Sequence, residues 1–322
     1  MKEQVEKALA HDRYAVSKLI SIFEDSRPEA LGQRAEALAL LERHPGRRSG
    51  TILGVTGAPG CGKSTLIGAL ALRMAELDPD ISVAVLAVDP SSPKSGGALL
   101  GDRTRVRFPP DTQRLFFRSQ ATATELGGLG PGSFHVCRLM HLLFGAVFIE
   151  TVGIGQSELD VRYLADRLYL VLQPLGGDEI QFMKAGIMEV PDAIILNKCD
   201  QGEAAQRSYH ALKSSLTLAR PFEPEPIPVY QVSGKTGEGI EGLARDMLDA
   251  ARKPGAAGMA AKEDYFFAKW VRDEWGRMGT EFLSDQVGGP RGFLDRAKSF
   301  DAAQADFSSG VRAWLAKPRK GE

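Results

Sequence analysis

Apolar residues along this chain follow two rhythms. Between residues 2 and 43 they recur three or four apart, as Val5, Leu9, Val16, Leu19 and Ile20, then Leu31, Ala35, Leu38 and Leu41. That period marks one face of a helix, so the spacing predicts helices over 2–23 and 28–43, separated by Ser26, Arg27 and Pro28. The pair reads as a helical hairpin packed on the main domain. From 51 to about 251, short apolar runs alternate with amphipathic stretches, and strands are predicted at 51–56, 82–88, 114–118, 145–150, 167–172, 193–197 and 228–232. Many of these runs are apolar at every position, as parallel strands buried on both faces are. Their alternation with helices predicts an α/β fold with a mostly parallel central sheet flanked by helices. After a linker at 253–258 the helical period returns over 261–286 and 291–316, broken at Gly288, Gly289 and Pro290. Phe266, Phe267, Trp270, Val271, Trp275 and Met278 form a broad apolar face there, which fits an intramolecular core and a dimer surface equally. The expected organisation is an N-terminal helical extension (1–48), a central α/β domain (49–252) and a C-terminal helical arm (259–318).

Composition narrows the setting. The chain has 322 residues, 43% hydrophobic and 25% charged, with a formal net charge of −1. No overall basic field favours nucleic acid or an anionic membrane. No apolar run approaches the ~20 residues of a membrane-spanning helix. The first residues, from Met1 to Glu6, lack the apolar core of a signal peptide and the arginines of a transit peptide. The three cysteines, Cys61, Cys137 and Cys199, form no close pair, which fits a reducing, cytoplasmic compartment. The five histidines are scattered without metal-ligand spacing.

The candidate chemistry begins at residues 57–65. Gly57, Ala58, Pro59, Gly60, Cys61, Gly62, Lys63, Ser64 and Thr65 match G-x-x-x-x-G-K-[ST] between a predicted strand and a predicted helix. That setting makes a phosphate-binding loop. Its glycines let consecutive N–H groups point at a triphosphate, with the helix N-terminus adding partial positive charge. Lys63 would reach the β- and γ-phosphates, and Ser64 would offer its hydroxyl to Mg²⁺.

Asn197, Lys198, Cys199 and Asp200 follow the apolar run 193–196. In phosphate-loop proteins, Asn-Lys-x-Asp at a strand end recognises guanine. The carboxylate accepts from the guanine N1–H and 2-amino group, and adenine would leave it unpaired. Asn197 would orient the loop and the Lys198 stem would lie over the ring. Ser233, Gly234 and Lys235 come after the next predicted strand, where a backbone N–H can meet guanine O6.

Glu150 ends the strand 145–150 and is the candidate second anchor for Mg²⁺. Gly153, three residues on, can present its N–H to the γ-phosphate, and Gln156 is a candidate water-orienting residue. A long loop opens at Asp89 and carries Asp102, Arg103 and Arg105. Its acids can meet the metal or its waters and its arginines phosphate, so it reads as a nucleotide-responsive switch.

Together these stretches resemble the MeaB/ArgK/MMAA family of P-loop GTPases, in the class with Glu in the third nucleotide motif. The matching segments are 57–65, 88–105, 126–129, 150–158, 176–190 and 197–200. The resemblance implies a homodimeric, Mg²⁺-dependent GTPase that binds GTP and GDP. Its partner would be an adenosylcobalamin-dependent acyl-CoA mutase, commonly methylmalonyl-CoA mutase. Such proteins gate cobalamin delivery to the mutase and protect or reactivate it. By the same resemblance Ser64, Asp89, Asp102 and Glu150 surround Mg²⁺. Residues 177–184 form a further switch loop ending at Lys184, which joins Lys63, Glu150 and Gln156 in the candidate catalytic group. Three departures stand out: Ala123 and Thr124 replace an Arg-Gly, Phe182 replaces a Gly, and the C-terminal helices look shorter.

Hydrolysis is expected to be slow in isolation and faster once a partner orders the switch loops. Two other readings remain open on the residues alone. A metal-delivery GTPase for a metalloenzyme wants a His- or Cys-rich segment, and a small-molecule or protein kinase wants an acceptor pocket with a base.

Overall fold

The structure is a computed structural model that describes residues 1–25, 27–89, 106, 108–109, 112–121, 129–151, 157–174, 191–219, 227–253, 258–297 and 299–316. Three helices open the chain: α1 (Lys2–Leu9), α2 (Arg13–Glu24) and α3 (Pro28–Arg43). Strand β1 (Thr51–Gly57) leads into α4 (Lys63–Leu77), then β2 (Val83–Asp89), β3 (Leu115–Ala121), α5 (Pro131–Leu143), β4 (Ala146–Thr151), α6 (Ser157–Leu164) and β5 (Arg167–Leu172). Then come β6 (Ala193–Leu196), α7 (Glu203–Ala219), β7 (Val229–Gln231) and α8 (Ile240–Ala251). The chain closes with α9 (Met259–Phe282), α10 (Pro290–Leu294) and α11 (Phe300–Leu315).

The seven strands form one sheet in the order β3-β2-β4-β1-β5-β6-β7, every pairing parallel. All carboxyl ends therefore share one edge. Register sets what meets there: Val55 of β1 pairs with Glu150 of β4, Gly57 with Val171 of β5, and Leu196 of β6 with Gln231 of β7. β1 lies between β4 and β5, where the winding reverses, the place such sheets hold ligands.

One face of the sheet is covered by α4 and α8, through Leu66, Ile67, Leu70, Met74, Leu243 and Met247. The other carries α5, α6 and α7. A further helical layer lies over α5, and one core cluster joins Leu19 and Phe23 of α2 to Phe134 and Phe144 and to Phe267 and Phe307 of the C-terminal helices.

The strands lie within a residue or a few of their expected positions, whereas the helical ends divide further than expected. The helix expected over 2–23 breaks because His11 adopts a left-handed conformation (φ +62°) and the Asp12 side chain accepts from Ala15 N at 2.7 Å, capping α2. The helix expected over 291–316 breaks where Ser299 caps α11 by accepting from Ala302 N. α9 kinks at Gly276 (φ +57°) and passes into a π-turn over Leu283–Val287. On the aromatic face of α9, Phe266, Phe267 and Val271 are buried within the chain, and the half-buried Trp270 and Trp275 pack against the same cluster.

Candidate nucleotide site

The turn after β1 curls tightly over the sheet edge. Gly57 has φ +149°, and a side chain there would bring a Cβ within 2.2 Å of Val171 O. Gly62 has φ +88° and would place a Cβ 2.7 Å from Asn197 Nδ2. Both positions demand glycine, for the backbone angle and for the close approach. α4 then starts at Lys63 and points its free N–H groups into the loop.

Two side chains at that helix start are buried and committed. Lys63 Nζ donates to Gly57 O at 2.8 Å and Ala58 O at 3.0 Å, so the loop's own carbonyls aim it. Ser64 Oγ donates to Glu150 Oε1 at 2.7 Å, with Ser64 5% and Glu150 2% exposed. A serine hydroxyl facing a buried carboxylate is a hard-oxygen donor pair, the chemistry Mg²⁺ takes. Cys61 is buried, and burial pushes its thiol pKa up, so it stays protonated. Pro59, Gly60 and Thr65 lie on the exposed rim.

The second half of the site is tied to the first by Asn197. This buried amide donates through Nδ2 to Cys61 O at 2.9 Å and accepts at Oδ1 from Gly234 N at 3.0 Å. It pins the phosphate loop, the turn after β6 and the turn after β7 to one another. Lys198 has φ +63°, and its Nζ donates to Gly60 O at 2.8 Å and to Gln173 Oε1 at 2.6 Å. Ser233 Oγ donates to Asp200 Oδ1 at 2.7 Å, fixing the rotation of an exposed carboxylate. Thr236 N in turn donates to Ser233 Oγ. Lys235 is exposed beside Gly234.

Phosphate loop, Ser64–Glu150 pair and Asn197–Asp200–Ser233 group thus meet on one edge. Asp89 ends β2 on the same edge by its backbone. The expectations for Asp102, Gln156 and Lys184, and for the side chain of Asp89, lie outside the described residues. Gln173 was missed from sequence. It is a polar residue directly after the apolar strand β5, and carboxyl ends of parallel strands are where such residues matter. Among the described residues no group of three or more His, Cys, Asp and Glu gathers to hold a metal ion. No helix among them is long and apolar enough to cross a membrane.

A family model described as Methylmalonyl Co-A mutase-associated GTPase MeaB matches residues 16–275. The chain belongs to the MeaB family. Among its MeaB-like relatives, a putative GTPase of Pyrococcus horikoshii is 36% identical over 249 residues, covering 75% of this chain and 74% of that protein. The mouse protein named Methylmalonic aciduria type A homolog, mitochondrial, is 36% identical over 225 residues, covering 68% of this chain and 54% of its own length. The crystal structure of a LAO/AO transport system kinase superposes with a TM-score of 0.59 at 22% identity, covering 98% of this chain and 97% of the other. At that identity the likeness speaks for the fold alone, a parallel α/β sheet flanked by helices.

Proposed function

We propose that this MeaB-family GTPase hydrolyses GTP at the edge built by residues 57–65, Glu150 and 197–200, and uses the cycle to chaperone an adenosylcobalamin-dependent acyl-CoA mutase. The observation that carries the nucleotide reading is the Asn197 clamp, which holds a guanine-selecting carboxylate in fixed relation to the phosphate loop. Asp200 accepts from guanine N1–H and the 2-amino group, and Gly234 lies where a backbone N–H reaches O6. Lys63 exchanges its carbonyl partners for phosphate oxygens and meets the charge that develops in phosphoryl transfer. Ser64 and Glu150 would hold Mg²⁺, with Asp89 and Asp102 as the remaining candidates. There the ion would supply positive charge against the phosphates of the nucleotide.

The mutase partnership is supported by the description of the family and by the name of the mouse relative. In this reading the chain gates cobalamin delivery to the mutase, protects or reactivates it, and works as a homodimer. The test has two arms. Turnover of GTP should exceed that of ATP and require Mg²⁺; equal turnover of both sinks the guanine assignment. A purified adenosylcobalamin-dependent methylmalonyl-CoA mutase should bind the protein differently with GDP and with a non-hydrolysable GTP analogue, and should raise its GTPase rate. Absence of both effects removes the chaperone reading and leaves the GTPase.

A further inference from the structure

The phosphate loop and the turn after β6 are joined twice. Asn197 makes the buried joint, and Lys198 makes an outer one across the end of a third strand. In the sheet, β5 lies between β1 and β6. Leu172 of β5 pairs with Leu196 of β6, and Leu172 O accepts from Asn197 N at 2.9 Å. The chain leaving β5 at Gln173 therefore runs beside the chain leaving β6 at Asn197 and Lys198. From there the Lys198 side chain reaches back to the phosphate loop. A Cβ on Gly62 would lie 3.8 Å from Lys198 Cε, and Lys198 Nζ donates to Gly60 O at 2.8 Å. The stem thus lies along the loop, where a guanine ring would rest against it.

This lysine is set in place before any nucleotide arrives. Its backbone is left-handed, with φ +63°, and His11 is the one other non-glycine residue with positive φ among the described residues. A residue with a side chain adopts that conformation at a cost, so surrounding contacts must hold it. The ammonium is bound at two points: besides Gly60 O, Gln173 Oε1 accepts from Nζ at 2.6 Å. Lysine offers donors only, so the oxygen of the Gln173 amide is the atom that faces it.

The second acceptor has a purpose that the first cannot fill. A lysine side chain has much rotamer freedom, and a ring docking on its stem would have to freeze it. Gly60 O alone leaves the ammonium free to swing about one contact. An acceptor at the end of the neighbouring strand removes that swing. Glutamine supplies it without adding a negative charge to a site for a polyanion.

We propose that Gln173 is a positioning residue for guanine binding. It holds the Lys198 stem as a preformed platform for the base, acting through the lysine ammonium. This role rests on residues 57–65 and 197–200 forming a guanine-nucleotide site.

The test is a double-mutant cycle on the whole chain with Q173M, K198M and the two combined. Methionine keeps an unbranched side chain and removes the polar end. Affinity for a fluorescent GDP analogue, KM and kcat for GTP, and melting temperature are measured for each. Q173M should weaken the GDP analogue about tenfold and raise KM by a similar factor, with kcat within about twofold, because the lost interaction is common to ground and transition states. In the K198M background the same change should cost less than about twofold, since the partner through which Gln173 acts is gone. Equal losses in the two backgrounds overturn the proposal; that is also the outcome if Q173M only loosens the fold, with a lowered melting temperature in both. Wild-type affinity in Q173M overturns it too, as does a fall in kcat at unchanged KM, which would move Gln173 to the chemical step. If the wild-type chain binds the GDP analogue no better than its ADP counterpart, the guanine site has failed and the role of Gln173 falls with it. A guanine preference in wild type that Q173M leaves unaltered sinks the role of Gln173 alone.

Discussion

At the scale of single residues, the site depends on side chains that satisfy two partners at once. Asn197 is the clearest. Its amide closes one hydrogen bond to Cys61 O and one to Gly234 N in a buried setting. Truncation strands both backbone groups, each at about 1–3 kcal/mol. Asn197→Ala is expected to weaken GTP binding by about two orders of magnitude and to lower the melting temperature, read by calorimetric titration and thermal unfolding; unchanged affinity would show that the two loops hold without it. Asp200 supports a sharper test. Asp200→Asn puts an NH₂ donor where the carboxylate would face the guanine 2-amino group, so GTP affinity should fall at least about tenfold. Xanthosine triphosphate, with a carbonyl at that position, should gain affinity in the same variant. If both nucleotides weaken alike, Asp200 does not read the base. These residues were legible in the sequence because Gly57–Thr65, Asn197–Asp200 and Ser233–Gly234 are contiguous strings with one chemical meaning each. Gln173 was not, because it acquires its role only from a partner far along the chain, Lys198.

At the scale of elements, strands proved easier to read than helices. A parallel strand buried on both faces declares itself as an apolar run, and residues 146–151 and 193–196 are buried throughout. A helix break declares itself less. The spacing of Val5, Leu9 and Val16 continues across His11, yet the chain turns there because Asp12 competes for the backbone as a cap. Ser299 does the same at the start of α11. The α6–sheet contact depends on a position that looks like an ordinary strand glycine. Gly54→Val would force branched atoms into Val161, Ala165 and Leu168, and overpacking of this kind costs about 1–3 kcal/mol. The variant should melt several degrees lower, since α6 must lift from the sheet. A melting temperature equal to wild type would mean that α6 has slack the close contacts do not suggest.

At the scale of the whole molecule, the N- and C-terminal helices are joined through buried charge. Arg34 of α3 pairs with Asp301 of α11 at 2.9 Å, and both are about 5% exposed or less. Arg138 of α5 pairs with Glu263 of α9 at 3.1 Å and lies over the Phe134 and Phe300 rings. His135 sits among these groups, buried, edge-on to Phe300, with Asp301 at 3.9 Å. Burial first, then Arg34 and Arg138, holds its pKa well below 6.5. Burial likewise lowers His11, which stacks on Phe144 beside Arg48 and Arg114, and His141, which bonds Gly50 O near Lys262 and Asp166. As pH falls through about 6.5 the unfolded chain protonates these three imidazoles ahead of the folded chain. The unfolded state then binds more protons, so stability is lost on acidification. Each such proton contributes about 1.4 kcal/mol per pH unit, giving a ceiling of about 4 kcal/mol per unit for three. Asp301 and Glu263 act in the opposite sense: burial raises both, so the folded state takes up protons above the ordinary carboxylate range. Two acids against three imidazoles reduce the slope without reversing it. Denaturant unfolding at pH 7.5 and 5.5 should therefore show a clear fall in stability, and His135→Gln, which cannot be protonated, should flatten it. Stability that is level or rising over that interval would mean that the histidines take up protons in the folded state and that the helical layer opens to water where His135 sits.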